Sequence, residues 1–162
     1  MDQLFVVLHN VHSIQRVKDM AKLAIGFGLK SLIVSKAEGA AAVSGIPEAQ
    51  KIMYRQKKSL LCFPDLPDVI ELLKPDEIYV FVPPRFAKDT YDPTKIADKL
   101  KEGGKILFVF GGSEPGLSKK EMDLGKPVSL DIAEDIGPIG VAAVVLYELK
   151  KFLKCLDRKI YT

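Results

Sequence analysis

Read for its order of apolar and polar positions, the 162-residue chain breaks into short apolar runs separated by amphipathic stretches. Six runs stand out, at 4–8, 31–35, 59–63, 77–82, 105–110 and 127–132. All are rich in β-branched or aromatic residues. They are more nearly continuous than alternating, the pattern of strands covered on both faces. Between the runs the period changes to that of a helix. Residues 13–28 place Ile14, Val17, Ala21, Ala24 and Ile25 on one stripe, with Ser13 as N-cap and Gly28 as stop. Residues 46–56 and 66–74 each carry Pro in a first turn, 92–104 open on Asp-Pro and end on Gly-Gly, and 137–156 form the last and longest helix. This alternation predicts an α/β fold: one domain over residues 1–162, with a mainly parallel six-stranded sheet and helices on both faces. Ligands of such sheets bind beyond the carboxyl ends of the strands.

Composition narrows the class without selecting a function. With 48% apolar and 28% charged residues, the chain is globular and long enough to bury roughly 70% of its unfolded surface around one core. Its longest apolar stretch, 136–147, is bounded by Pro138 and Glu148 and is shorter than the ~20 residues of a spanning helix, which predicts no membrane span. The opening MDQLFVVLHN has no basic n-region and reads as a first strand, so a cytoplasmic protein is expected. Cys62 and Cys155 both sit among apolar neighbours with no C-x-x-C pair, the expectation being two buried structural thiols. A net charge of +3 permits a polyanionic partner without arguing for one.

Four segments carry candidate chemistry. The stretch FVFGGSEPGLS, 108–118, runs from a strand into glycines. It lacks the G-x-x-x-x-G-K-[ST] spacing, and Gly111, Gly112 and Gly116 miss the intervals of G-x-G-x-x-G, which excludes a nucleotide triphosphatase or an ordinary dinucleotide fold. By itself the stretch is either a turn or a cofactor cradle. His9 and His12 form an H-x-x-H with no carboxylate or thiol beside them, a poor ligand set, and no metal site is expected. The loop 82–92 carries Arg85, Lys88, Asp89, Tyr91 and Asp92, and both a solvated loop and a substrate contact are open readings. Residues 150–159 hold five cations, which the dipole of a helix C-terminus favours on its own; an RNA-facing patch is the second reading. A metal-dependent nuclease would call for a carboxylate followed by an acid-x-Lys element on adjacent strands, a spacing not found around Asp76, Glu77 or Glu102.

Three segments in order resemble the SpoU-type branch of the SPOUT superfamily of RNA methyltransferases. LHNVHSIQRVKDMAKLAIGFGLKSLIV (8–34) is similar to its first motif, FVFGGSEPGLS to its second, and DIGPIGVAAVVLYE (135–148) to its third. The resemblance implies a C-terminal trefoil knot, a topology nearly absent elsewhere. It also implies an enclosed S-adenosylmethionine pocket formed by Pro83, Phe110, Gly111, Gly112, Leu130, Ile132, Gly137, Ile139 and Val141. In such a pocket Gly111, Gly112 and Gly137 let main chain approach the adenine. The positions of the first motif's Asn, Gly and Arg hold Arg16, Lys18 and Lys22 here; the second motif's Glu aligns with Ser113, and the third motif's Asn with Pro138. Arg16, Lys22 and Arg85 are then the candidate catalytic cations. The implied function is an S-adenosylmethionine-dependent methyltransferase acting on tRNA or rRNA, at a ribose 2′-oxygen, as a homodimer. A non-catalytic knotted binding module is the alternative, and a nuclease or other hydrolase the third reading.

Overall fold

A computed structural model describes residues 2–113 and 116–160, with side chains through Lys154. Its elements are β1 (Leu4–Val11), α1 (Ile14–Gly26), β2 (Ser31–Ala37), α2 (Ile46–Arg55), β3 (Ser59–Phe63), α3 (Leu66–Leu73) and β4 (Glu77–Phe81). They continue with β5 (Asp89–Thr90), α4 (Pro93–Lys101), β6 (Ile106–Gly111), α5 (Lys119–Met122), β7 (Lys126–Ser129) and α6 (Gly137–Ile160). A π turn at Ala41–Gly45 leads into α2, and a 3-10 turn at Pro84–Phe86 follows β4.

Local chemistry sets the helix starts. Ser13 Oγ accepts the Arg16 backbone N–H at 3.2 Å at the head of α1. Asp65 and Asp68 form a reciprocal capping box on α3, and Asp92 accepts from Thr94 and Lys95 at the head of α4.

The strands form one parallel sheet of seven, in the order β3-β2-β1-β6-β4-β7-β5. The expected six becomes seven because Asp89 and Thr90 pair with Val128 and Ser129. Two exposed polar residues give no periodic signal. The last predicted strand also ends early, at Ser129.

Helices cover both faces. Val17, Met20, Ala21 and Ala24 of α1, Ala49 and Met53 of α2, Ile96 and Ala97 of α4, and Val145, Leu146 and Leu149 of α6 pack on one side. Leu66 and Val69 of α3, with Met122 of α5, pack on the other. β3, an edge strand, has only Leu60 buried and leaves Cys62 exposed, which corrects the expected buried thiol; Cys155 lies outside the described side chains. No helix among the described residues is long and apolar enough to cross a membrane.

Candidate functional site at the carboxyl edge of the sheet

The register brings the ends of three strands level, with Leu8 and Phe81 both opposite Phe110 and His9 opposite Gly111. Beyond them opens a cleft of about 320 Å³. Its floor is aromatic: the Phe81 and Phe110 rings stack at 4.8 Å and 8°, and Phe81 meets Phe108 edge-on at 5.1 Å. Val82 and Pro83 continue one wall from β4, and Gly137, Pro138 and Val141 supply another from α6. Tyr91 donates from its hydroxyl to the Val145 carbonyl at 2.9 Å, pinning the chain after β5 to α6. Burial pushes that phenol far above its ordinary range, so it stays a donor.

The polar groups at the cleft are Arg16, Arg85, Ser113 and Asp135. Arg16 projects from the first turn of α1, half buried, and donates from Nη1 to the Gly112 carbonyl at 2.8 Å. It therefore both holds the loop after β6 and keeps a cation at the cleft. Arg85 is exposed on the 3-10 turn, its guanidinium 4.7 Å from the centre of the Phe86 ring. Asp135 Oδ1 accepts the Gly137 N–H at 3.1 Å, and Gly137 takes φ +84°, the left-handed turn that starts α6.

The structure gathers Arg16, Arg85, Pro83, Phe110, Gly111, Gly137 and Val141 of the sequence-based set around one cleft. Other members lie elsewhere. Lys22 is exposed on α1, almost two turns past Arg16. Leu130 belongs to the core, and Ile132 and Ile139 are partly buried against it. Gly112 is buried behind the cleft, where an added Cβ would lie 2.8 Å from Val11 Cβ and 3.0 Å from the Asn10 carbonyl oxygen. Its missing side chain thus serves packing against β1, not approach to a ligand. Sequence reasoning missed Phe81, Val82 and Asp135. The Asp-x-Gly spacing ahead of α6 was the available signal for the last.

His9 and His12 do not act together. His12 is exposed, whereas His9 is fully buried on the α3 and α5 side of the sheet. Its Nδ1 lies 2.7 Å from Ser35 Oγ, and its Nε2 lies 2.5 Å from Glu121 Oε2 and 3.9 Å from Asp65 Oδ1. Burial is the leading influence and holds the imidazole below its ordinary value; Glu121 and Asp65 oppose it, and Lys36 adds to it. A second polar cluster sits at the other edge of the sheet. There Glu77 bonds Tyr79 and Lys99, with Lys126 at 3.5 Å. Among the described residues no three His, Cys, Asp or Glu side chains converge to hold a metal ion.

The fold is similar to that of solved SpoU methyltransferases. The chain overlays AviRb from Streptomyces viridochromogenes with a TM-score of 0.74 at 15% identity, over 96% of this chain and 62% of that one. Against AviRb in complex with the cofactor AdoMet the TM-score is 0.72 at 17% identity, over 93% and 60%.

The sequence itself belongs to a different group: residues 39–148 match the family described as RecB-family nuclease (DUF2122), and the chain is a member of that family. It is 41% identical over 150 residues to a protein of Aeropyrum pernix named "Putative type II restriction enzyme ApeKORF2002P", covering 91% of this chain and 92% of that protein. A protein of Methanocaldococcus jannaschii under the same description, MjaORF1200P, is 32% identical over 151 residues, covering 93% and 99%. The resemblance to SpoU proteins therefore holds for the fold alone. The expected function, an S-adenosylmethionine-dependent RNA methyltransferase, is overturned by this family membership and these relatives.

Proposed function

We propose that the protein is a nuclease and that the carboxyl-edge cleft holds the nucleotide at the scissile phosphate. The observation that carries this reading is the placing of Arg16 and Arg85 at one aromatic-floored cleft in a chain of the nuclease family. A base fits against Phe81, Phe110 and Val141. The two guanidiniums offset the charge that gathers on the non-bridging oxygens as water adds to phosphorus and the P–O ester bond breaks. Asp135 is the carboxylate at the cleft that can take the water's proton, and the departing ester oxygen leaves as a hydroxyl with a proton from solvent. The described residues offer no three-ligand metal set, so no step is assigned to a metal. The names of the relatives favour DNA as the polymer.

End-labelled DNA and RNA, with and without divalent cations, test this directly. DNA is expected to be cut, and Arg16→Ala or Arg85→Ala to slow cutting by about 10²-fold. Intact DNA and RNA under every condition, with a protein that melts cooperatively, would remove the reading.

A second reading concerns what else the cleft holds. Pro83, Phe110, Gly111, Gly137 and Val141 line it, and the neighbour solved with AdoMet has the same fold. These support S-adenosylmethionine as a ligand, with the expected C-terminal trefoil knot enclosing it. Heat released on titration with S-adenosylmethionine or S-adenosylhomocysteine supports this; no heat from either at millimolar concentration excludes it.

A homodimer is part of the same proposal. Ile136, Val144 and Tyr147 stand exposed at the start of α6, next to the cleft, while Val145 and Leu149 on the inner side are buried.

A further inference from the structure

The most exposed aromatic among the described residues lies outside the cleft. Tyr54, near the end of α2, is 80% exposed, and cations surround it in the sequence: Lys51, Arg55, Lys57 and Lys58. None of the four pairs with a carboxylate among the described residues. The nearest acid on the helix, Glu48, is engaged by Lys18 of α1 at 3.3 Å.

That ion pair bridges the two helices. Both α1 and α2 follow a parallel strand and return from the carboxyl edge to the amino edge, and the π turn that leads into α2 touches the first turn of α1, where a Cβ added at Gly45 would lie 3.3 Å from Ile14 Cα. One turn beyond Lys18 on α1 is Lys22; three residues beyond Glu48 on α2 is Lys51, and a turn later Arg55. Lys57 then takes φ +57°, a left-handed turn held by its N–H on the Tyr54 carbonyl at 2.9 Å. The next N–H, of Lys58, is held by the Met53 carbonyl at 2.9 Å, so the backbone of both lysines folds back on the last turn of α2. By this spacing Lys22, Lys51 and Arg55 follow the Lys18–Glu48 pair along the two helices, and Lys57 and Lys58 come after the end of α2; none of the five pairs with a carboxylate among the described residues.

We infer that the α1–α2 seam binds a single-stranded stretch of nucleic acid, with Lys22, Lys51, Arg55 and Lys57 on the phosphates and a base stacked on Tyr54. The inference rests on the nuclease reading for its choice of polymer and extends it to a second contact outside the cleft. Charge complementarity selects a polyanion, and a solvent-facing aromatic among the cations selects one with unstacked bases, because stacking on aromatics is how sequence-independent single-strand sites hold their ligand. A solvated lysine face alone would leave the exposed ring without a role.

Fluorescence anisotropy of the full chain with labelled 20-nucleotide single-stranded and duplex DNA, at several salt concentrations, tests the inference. The triple variant Lys51→Ala, Arg55→Ala, Lys57→Ala should weaken single-strand binding and reduce the slope of log affinity against log salt by about 2, near 0.7 per phosphate contact. Tyr54→Ala should weaken single-strand binding by about 5- to 100-fold and leave duplex binding nearly unchanged. All four side chains are on the surface, and matching melting curves verify the fold.

Parental affinity and slope in the triple variant would overturn the inference, as would equal competition by polyglutamate. An unaltered affinity in Tyr54→Ala would overturn the stacking. A protein that cuts DNA but shows no effect of these substitutions loses this inference and keeps the nuclease reading. One that binds through the seam yet cuts nothing does the reverse.

Discussion

At the scale of residues, two glycines near the cleft do different work. Gly137 needs its positive φ to start α6, whereas Gly112 is held by what lies beside it. In Gly112→Ala the new methyl would meet Val11 Cβ and the Asn10 carbonyl, both backed by β1. Neither can retreat without shifting the strand. A loss of about 1–3 kcal/mol is expected, read as a lower denaturant midpoint with an unchanged m-value. The Arg16 bond to the Gly112 carbonyl would shift with it, so activity should fall as well. Arg16 and Arg85 could be singled out from sequence because a cation near a strand end is a local feature. Phe81 could not, because its place at the cleft depends on the register of β4 against β6; Asp135 left only its Asp-x-Gly spacing ahead of α6 as a signal.

Among the elements, α5 shows what a sequence pattern hides. Four residues are too few for a helical period, yet Ser118 and Glu121 make a capping box, an S-x-x-E that was there to be read. Glu121 serves twice, its second oxygen meeting His9 beneath the helix. Because burial lowers the His9 value, the folded chain binds fewer protons there than the unfolded chain. Its stabilising contribution is present above the ordinary value of 6.5 and is lost as pH falls through 6.5 toward the lower folded value. The melting temperature should therefore drop between about pH 7.5 and pH 5.5, and His9→Asn should flatten that part of the profile. A profile identical to the parent's would show that Glu121 and Asp65 cancel the effect of burial. The long helices and the strands of the sheet's centre were legible because each buries a full stripe or a full run. β5 and the π turn before α2 were not, since pairing and packing create them.

For the whole molecule, the ordered motifs tracked the backbone and not the reaction. Glycines, strand ends and the start of α6 are constrained by how the chain turns, so they read alike in a methyltransferase fold and in this nuclease family. The chemistry depends on a few side chains that the fold leaves free to change, and these were the positions where Arg16, Lys18 and Lys22 departed from the resembled pattern. The apolar start of α6 gives the prediction at this scale. Light scattering at micromolar concentration should report twice the 17.9 kDa of one chain. Val144→Glu with Tyr147→Glu should return it to the single-chain mass with little change in melting, since both residues face outward. A parent already at the single-chain mass removes the dimer.

The position of β1 between β2 and β6 also governs how the molecule is made. β1 leaves the ribosome ahead of the other strands, and β2 and β3 can join it soon after, but its other neighbour is encoded about a hundred residues later, with Leu4 opposite Ile106. At synthesis rates of about 5–20 residues per second, the nascent protein carries an unpaired, apolar strand edge for roughly 5–20 s before β6 emerges to close it. During translation, then, a strand that ends up inside the sheet is for a time its exposed, aggregation-prone border.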